Sequence, residues 1–163
     1  MTQERFIDLV REEQEPLRRF LLALCSGDAA LADDLAQDAL VRAYVASGSF
    51  LGLSKISTRL FRIAYNCYID HCRRAASRPQ TSIEEAMSAP SCDSADDSFR
   101  HQQLYRAMDT LPQKEKAAIV LFYFEDKSIK EISTILHIPS GTVKYHLSVG
   151  RNHLKQKLQP CMK

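Results

Sequence analysis

The sequence predicts an all-α protein made of two small helical domains joined by a flexible acidic linker, with a helix-turn-helix in the C-terminal domain. Apolar residues recur at the spacing of amphipathic helices, only five glycines occur in 163 residues, and no pair of alternating segments flanks a hairpin turn. An acidic stretch with prolines and serines separates the two helical parts. The predicted boundaries are 1–77 for the first domain, 78–98 for the linker and 99–163 for the second domain.

The first two helices are predicted from apolar spacing and from capping residues. The first should run from about Gln3 to Cys25 and be interrupted or kinked at Pro16, because proline removes a backbone donor. Asp28 is a suitable N-cap for the second helix, which should end near Gly48.

The second helix has an inward apolar row and an outward polar row. Leu31, Leu35 and Ala39 are spaced so that they face the core. The polar residues are three or four positions apart, as expected for neighbours on one helix face, and form either a solvated surface or a contact surface. They are Asp34, Gln37, Asp38 and Arg42.

A third helix, expected to be capped by Ser57 or Thr58, carries both cations and aromatic residues. Leu60, Ala64 and Cys67 are predicted to face the core. Cations interleaved with aromatic rings suit single-stranded nucleic acid, but rings at this spacing are more often core residues, and the core interpretation is favoured. The polar stripe comprises Arg59, Arg62, Asn66 and Arg73, and the aromatic row comprises Phe61, Tyr65 and Tyr68.

The net charge of +2 hides an alternation of sign along the chain. Residues 1–40 contain nine acidic and four basic residues, whereas residues 41–79 contain one acidic and seven basic residues. Residues 80–100 are again acidic, and residues 101–163 carry ten basic against five acidic residues. This pattern indicates two phosphate-facing surfaces on one chain and an acidic N-terminal surface available to a partner other than DNA.

The segment Ser128–Lys155 has the pattern of a helix-turn-helix. Ile129, Ile132 and Leu136 recur at helical spacing, and Pro139 opens a second helix whose apolar residues can pack against the first.

The outer face of that second helix carries groups that bind phosphates or hydrogen-bond to base edges in a major groove. The alternative is a helical hairpin with a solvated, charged face. The candidate DNA-binding residues are Thr142, Lys144, Tyr145, His146, Ser148 and Arg151.

Other classes of protein fit less well. Five cysteines without a C-x-x-C pair indicate neither a disulfide framework nor a zinc site, and a metal site at His71 and Cys72 is disfavoured because adjacent helical residues diverge. No signal peptide or long apolar run is present, so a cytoplasmic protein without membrane insertion is expected. The sequence contains no local motif that combines a nucleophile, a base and an acid, so an enzyme is not indicated. No cofactor is expected.

Four motifs follow one another along the chain. The first is DLAQDALVRAY, Asp34–Tyr44, and the second is Phe50 followed by LFRIAYN, which ends at Asn66. MDTLPQKEKAAIVLFYFEDKSIKEIS and IPSGTVKYHL follow in the second domain. Taken in this order, the motifs resemble the extracytoplasmic-function (group IV) sigma factors of bacterial RNA polymerase, in the sigma-70 family. The resemblance covers nearly the whole chain, and the ordered set is far more specific than any single motif.

The resemblance implies a promoter-recognition factor whose partners are bacterial core RNA polymerase, promoter DNA and an anti-sigma factor. The polar row of the second helix would dock on the polymerase, and the helix-turn-helix would read the −35 element. A loop and the third helix would open and read the −10 element, with Asn66 capturing an exposed base. The residues implied for the −10 element are Phe50, Arg59, Arg62, Asn66, Arg73 and Arg74.

The chain departs from the family pattern at four positions. Arg59 stands where an aromatic residue is usual, so melting would depend more on Phe61 or Tyr65. His146 and Val149 stand where the recognition helix usually carries arginines, so a base preference is not inherited. His137 replaces a usual turn glycine, where a left-handed conformation is costly for a side chain.

A helix-turn-helix transcriptional regulator of response-regulator type is the alternative function, because GTVKYHL also resembles the recognition helix of such activators. A regulator of this type would bind duplex DNA alone and usually as a dimer. A sigma factor would instead copurify with core polymerase and support initiation on a matched promoter.

Overall fold

The computed structural model describes residues 3–49, 56–77 and 103–158, and the all-α prediction is confirmed. A 3₁₀ turn at Ser47–Ser49 follows the second helix, and a π-helical turn at Val120–Phe124 continues the fifth. No helix within the described ranges is long and apolar enough to cross a membrane. The helices are α1 (Gln3–Leu24), α2 (Ala29–Ala46), α3 (Ile56–Ser77), α4 (103–109), α5 (Gln113–Ile119), α6 (Ile129–Leu136) and α7 (Ser140–Leu158).

Helix α1 continues through Pro16, so of the two predicted alternatives, an interruption or a kink, the interruption is wrong. Leu17 and Phe20 directly after the proline are completely buried, and the ring of Phe20 lies 5.4 Å from that of Phe61 on α3. An internal proline costs about 3 kcal/mol. Burying two large apolar side chains contributes about 1.5–3 kcal/mol each, which offsets that cost.

The turn between α1 and α2 follows the predicted capping. Asp28 accepts a hydrogen bond from the Leu31 backbone N–H at 3.1 Å, which confirms it as the N-cap of α2. Gly27 has a φ of 87° and donates its N–H to the Leu22 carbonyl at 2.9 Å, which closes α1.

The predicted caps of α3 are wrong because the helix is already formed at Ile56. Ser57 and Thr58 therefore lie inside its first turn. Thr58 is buried, and the Ser57 hydroxyl accepts a hydrogen bond from Lys127 Nζ at 3.1 Å. The Ser57 hydroxyl thus contacts a residue seventy positions away in the sequence and lies within α3 instead of at its N-cap.

Two cysteines behave as core residues. Cys25 and Cys67 are buried, and burial raises the pKa of their thiols to about 12 and about 11, respectively. Both thiols therefore stay protonated near neutral pH and pack as small apolar groups, as predicted for Cys67. Cys72 is half-buried.

The helix-turn-helix is held by a dense set of local hydrogen bonds. The Ser128 hydroxyl caps α6 by accepting from the Glu131 backbone N–H at 3.1 Å. After α6, the Ser133 carbonyl accepts from the Ile138 N–H at 3.1 Å, while the Ser133 hydroxyl donates to the Ile138 carbonyl. These bonds fix the turn that sets the direction of α7.

His137 adopts the left-handed conformation that the sequence predicted for this turn, with φ 59° and ψ 46°. We expect His137→Gly to stabilise the protein by up to about 1 kcal/mol, or roughly 2–4 °C in Tm, because glycine has no Cβ clash in this region. Thermal unfolding followed by circular dichroism measures the shift. Thr134→Gly in right-handed α6 is the matched control and should lower Tm. A fall in Tm for both variants would contradict this explanation.

The two helical parts share one continuous core, which defines the relative position that the sequence left open. Helix α3 packs against α6, and α1 packs against α5 and the π-helical turn. Met108 and Leu121 belong to the same buried cluster as Phe61. The predicted linker, 78–98, lies outside the described residues.

Candidate nucleic-acid interface

Helix α7 is oriented by its apolar face. Val143 and Leu147 are buried, one turn apart, and α7 packs against both α5 and α6. The helix begins at Ser140, and the Pro139 carbonyl accepts the first backbone hydrogen bond, from the Val143 N–H at 3.0 Å. This packing leaves the opposite face of α7 directed away from α6.

Most of the predicted −35 residues lie on that outer face. Lys144, Tyr145 and Ser148 are exposed, with Tyr145 reaching 62% exposure, while Thr142 is half-buried. His146 is half-buried and packs edge-on against Tyr145, with ring centroids 5.7 Å apart. Its Nδ1 is buried and has no hydrogen-bond partner among the residues that the structure describes. The structure thus brings these five residues together on one surface.

Arg151 makes two hydrogen bonds to other residues of the protein. Its Nε donates to the Leu147 carbonyl at 3.2 Å, and its Nη1 donates to the Tyr123 hydroxyl at 3.2 Å. The guanidinium is therefore held toward the π-helical turn, where Tyr123 and Phe124 are both exposed.

Lys144 is an exposed cation on the face of α7 that the sequence assigns to DNA. We expect Lys144→Ala to flatten the salt dependence of duplex binding by about one unit of slope, because each lost phosphate contact removes about one released counterion. Binding of a −35 duplex across a salt series measures this slope.

Lys157→Ala is the control for this experiment, since Lys157 lies thirteen residues further along α7, or about 20 Å away at the rise of an α-helix. Its slope should match that of the parent. Equal slopes for Lys144→Ala and the parent would remove Lys144 from the phosphate contacts.

The predicted −10 residues on α3 separate into exposed and half-buried groups. Asn66, Arg73 and Arg74 are exposed, whereas Arg59 and Arg62 are half-buried. Phe50 and most of the loop Ser49–Ser57 lie outside the described residues.

The aromatic row of α3 belongs to the core, so the favoured interpretation is confirmed. Phe61 is completely buried, and Tyr65 and Tyr68 are more than nine-tenths buried. Burial also raises the pKa of both tyrosine hydroxyls. These rings are unavailable for stacking with bases in this arrangement, which rules out the expectation that Phe61 or Tyr65 takes over melting here.

Asn66 and Arg73 lie along a cleft of about 490 Å³ between α3 and the C-terminal part of the chain. Ile69 and Cys72 belong to the same wall on α3. Across the cleft are Gln113 and Lys114 at the start of α5 and Leu136 at the end of α6. The polar face of α3 is thus exposed but faces the helix-turn-helix part.

The polar row of α2 is exposed along its whole length. Asp34, Gln37, Asp38 and Arg42 all lie on the surface. Arg42 pairs with Asp38 at 3.1 Å and with Asp70 of α3 at 3.5 Å. Exposed pairs of this kind contribute little to stability, about 0.3–0.5 kcal/mol for i,i+4 neighbours, so the row is free to serve another purpose.

Three apolar residues beside this row were missed by the sequence interpretation. Val41, Tyr44 and Val45 are exposed by 62%, 52% and 79%, and they extend the polar row toward the end of α2. The sequence did contain a signal for this apolar surface. Helix α2 carries apolar residues outside its inward row, although a helix that packs on one side needs only one apolar stripe. A cluster of exposed apolar residues marks a contact surface.

Comparison with known proteins gives two family matches that together span both helical parts. Residues 9–78 match the family model for sigma-70 region 2, and residues 101–154 match that for sigma-70, region 4. The ECF RNA polymerase sigma factor SigW of Bacillus subtilis is 33% identical over 96% of this chain and 90% of its own length. The ECF RNA polymerase sigma-E factor of Escherichia coli K12 is 30% identical over 80% of this chain and 75% of its own length.

Solved structures show the same architecture. The sigma factor RpoE of Bartonella quintana, in complex with the anti-sigma factor NepR, matches with a TM-score of 0.77 and 25% identity, over 96% of this chain and 98% of that one. CnrH, in complex with the cytosolic domain of CnrY, has a TM-score of 0.75 and 21% identity, over 98% of this chain and 90% of that one, and shows the fold alone.

The helix-turn-helix and the two family matches define a DNA-binding protein of the transcription machinery. The chain belongs to the sigma-70 family, among its extracytoplasmic-function members. It is an RNA polymerase sigma factor for promoter-specific transcription initiation, and the response-regulator alternative is not favoured. This family is not a class of catalytic enzymes.

Proposed function

We propose that this chain lends promoter recognition to core RNA polymerase in the cytoplasm and catalyses no reaction itself. In this proposal, the N-terminal domain, 1–77, docks on the polymerase and opens and reads the −10 element. The C-terminal domain, 99–163, reads the −35 element. The observation that best supports this proposal is the presence of two exposed polar faces, one on α3 and one on α7. The two faces lie on different helical parts of one chain.

Duplex reading is assigned to α7. Its N-terminal residues project from a helix end whose dipole favours phosphate, and its outer face combines a cation with hydroxyl and imidazole groups suited to base edges. The exposure of Lys144, Tyr145 and Ser148 supports direct contact, whereas Arg151 must leave the Tyr123 hydroxyl to reach DNA. The remaining members of the set are Thr142 and His146.

Base capture in the −10 element is assigned to Asn66 with the loop that contains Phe50. A flipped base loses its stacking and pairing, and an exposed amide both donates to and accepts from its edge. The exposed Arg73 and Arg74 continue along the same helix and would hold the strand's phosphates. Arg59 and Arg62, which are half-buried, would complete that cationic surface.

Docking on the polymerase is assigned to the outer face of α2. The polar row Asp34, Gln37, Asp38 and Arg42 lies beside the exposed apolar residues Val41, Tyr44 and Val45. An apolar patch rimmed by charges is typical of a protein–protein interface.

An anti-sigma factor is proposed as a third partner. RpoE and CnrH, whose structures resemble this chain, were each solved with a protein bound, and NepR is an anti-sigma factor.

Initiation in a purified system tests the proposal. The chain and core polymerase are incubated with a promoter library randomised at the −35 and −10 elements, and transcribed sequences are recovered. Enrichment of one −35 and one −10 sequence that depends on both proteins is expected. Sequence-specific duplex binding by a dimer, without any transcript when polymerase is present, would contradict the proposal and favour the regulator.

A further inference from the structure

Helix α7 approaches α5 closely at Gly150. Gly150 is buried and continues the stripe of Val143 and Leu147 along the inner face of α7. A Cβ atom on Gly150 would lie 2.5 Å from Cδ1 of Ile119 and 3.6 Å from Cβ of Glu115, both on α5. Carbon atoms in ordinary contact are about 3.5–4.0 Å apart. The side chain of Ile119 therefore occupies the space that a side chain at position 150 would need.

Local preference does not account for a glycine at this position. Gly150 lies in the interior of a 19-residue helix, where glycine is unfavourable and alanine is the most favourable residue. Ile119 is only 3% exposed, and a closely packed core leaves its side chain little free space into which to turn. The contact with Ile119 accounts for the glycine.

A hydrogen bond joins the same two helices about one turn further on. Nδ1 of His153 lies 3.0 Å from Oε2 of Glu115, whose side chain is 7% exposed. An ionised carboxylate only accepts hydrogen bonds, so the imidazole nitrogen is the donor. The side chain of His153 is 46% exposed, which places this bond at the edge of the contact between α5 and α7. We call Gly150, His153, Ile119 and Glu115 the α7 seat.

The two contacts of the α7 seat constrain different movements of the helix. The close approach at Gly150 sets the separation of α7 from α5. A hydrogen bond has a preferred direction, so the bond made by His153 also restrains rotation of α7 about its own axis. Helix α5 is a firm support, because Ala117, Ala118 and Ile119 all belong to the buried core.

A displacement of α7 would reach its outer face, which reads the −35 element in the proposed function. Arg151 follows Gly150 directly, and Ser148 lies two residues before it. A Cβ at position 150 would need about 1 Å more room, the difference between 2.5 Å and an ordinary contact. Side chains at a binding site must be held to within about 0.5 Å of their productive positions, so a shift of this size matters.

We propose that the α7 seat positions the outer face of α7 for reading the −35 element. Gly150 and His153 are positioning residues, which act through the placement of the helix and not through contact with DNA. This inference rests on the proposed function. It assigns a role in promoter recognition to the contact between α5 and α7, apart from the residues that face the DNA.

Initiation by the full chain with core polymerase, on a promoter library randomised at both elements, tests the α7 seat. Gly150→Ala should lower the enrichment of the preferred −35 sequence by at least about 5-fold, because a displaced helix loses base contacts that each discriminate by about that factor or more. Enrichment of the −10 sequence should stay unchanged. Loss of folded protein would instead reduce all transcripts and change neither preference.

A second substitution on α5 should relieve the effect. Ile119→Val removes Cδ1, the atom closest to the added methyl group. The double variant Gly150→Ala with Ile119→Val should recover the −35 preference to within about 2-fold of the parent, and Ile119→Val alone measures the effect of the lost methyl group.

Gly141→Ala is the matched control. Gly141 is on the same helix, and no atom from another part of the described chain lies within 4 Å of its Cβ position. This variant should keep the parent preference at both elements.

His153 gives an independent test of the α7 seat. His153→Ala removes the donor to Glu115 and should weaken the −35 preference by at least about 3-fold. His153→Asn should retain the preference, because its amide nitrogen takes the place of Nδ1. If Gly150→Ala loses its helical signal in circular dichroism, these two variants decide the question.

The outcomes separate this inference from the proposed function. An unchanged −35 preference in Gly150→Ala, or a defect that Ile119→Val does not relieve, would overturn the inference and leave the proposed function standing. Equal −35 preferences of His153→Ala and the parent would overturn the role of the hydrogen bond and, if Gly150→Ala is unfolded, the inference as a whole. A parent that enriches no −35 sequence with core polymerase would overturn both.

Discussion

Reversing Asp34 and Asp38 to lysine together is expected to weaken binding of core RNA polymerase by at least about 100-fold. Both carboxylates are exposed and lie on the proposed docking face. Charge reversal at a complementary interface costs several kcal/mol, and about 2.7 kcal/mol corresponds to 100-fold. The fold should be unaffected, because the charge pair that the reversal breaks within the described ranges, between Asp38 and Arg42, is exposed. Affinity is measured by titrating labelled chain with core polymerase.

Asp33→Lys is the control for this docking experiment. Asp33 is on the same helix, but it pairs with Arg18 of α1 and lies outside the proposed docking row. Its polymerase affinity should stay within a few-fold of the parent value. If the double reversal binds as tightly as the parent and keeps the parent Tm, the assignment of α2 as the docking face is wrong.

The second large effect is expected at Asn66. Asn66→Ala should slow open-complex formation by about 10- to 100-fold, because a hydrogen-bonded base contact contributes about 1–3 kcal/mol of discrimination. The preference for one base of the −10 element should also relax. Permanganate footprinting of a transcribed promoter measures opening, and a randomised −10 library measures preference.

Asn152→Ala controls for loss of an exposed amide, since Asn152 lies on α7 outside the proposed −35 set. It should open the promoter as the parent does. Duplex binding of the −35 element should be the same for both variants and the parent. If the promoter opens equally well with Asn66→Ala, Asn66 is a surface residue of α3 without a role in melting.

These experiments belong in the complete complex of chain, polymerase and promoter. In the structure Asn66, Gln113 and Lys114 line the same cleft, whereas Asp34 and Asp38 are exposed on α2. Docking should therefore precede base capture. A defect at Asn66 will appear in opening kinetics, while a defect at Asp34 and Asp38 will already appear in assembly.

Local patterns were sufficient to predict that α1, α2 and α3 exist and that a helix-turn-helix follows in the second domain. The N-cap at Asp28 and the buried row of Ile132, Val143 and Leu147 follow from residues within one or two helical turns, whereas the left-handed turn at His137 was expected from the family resemblance. Such features depend on short-range steric contacts and hydrogen bonds, so they can be predicted from residues that are close in the sequence. The family followed from the order of the motifs.

Packing between distant segments decided the features that spacing left open or misjudged. Periodicity allowed the aromatic row of α3 either to stack with bases or to pack, and neighbouring helices buried Phe61, Tyr65 and Tyr68. Burial of Leu17 and Phe20 also kept α1 continuous past Pro16, although the local rule for proline predicted an interruption or a kink. In both cases long-range burial outweighed a local preference.

Tertiary structure alone brought together the partners of Lys116. In the sequence Lys116 is one of many surface-type cations, and nothing nearby indicates that its ammonium meets Leu24 and Ser26, about ninety positions away. The same holds for Lys127 with Ser57 and for Arg19 with Glu125. A hydrogen bond depends on the distance between two atoms in space, and hydrogen bonds between distant segments produce no periodic pattern in the sequence. These contacts therefore form only when the two helical parts pack into one core.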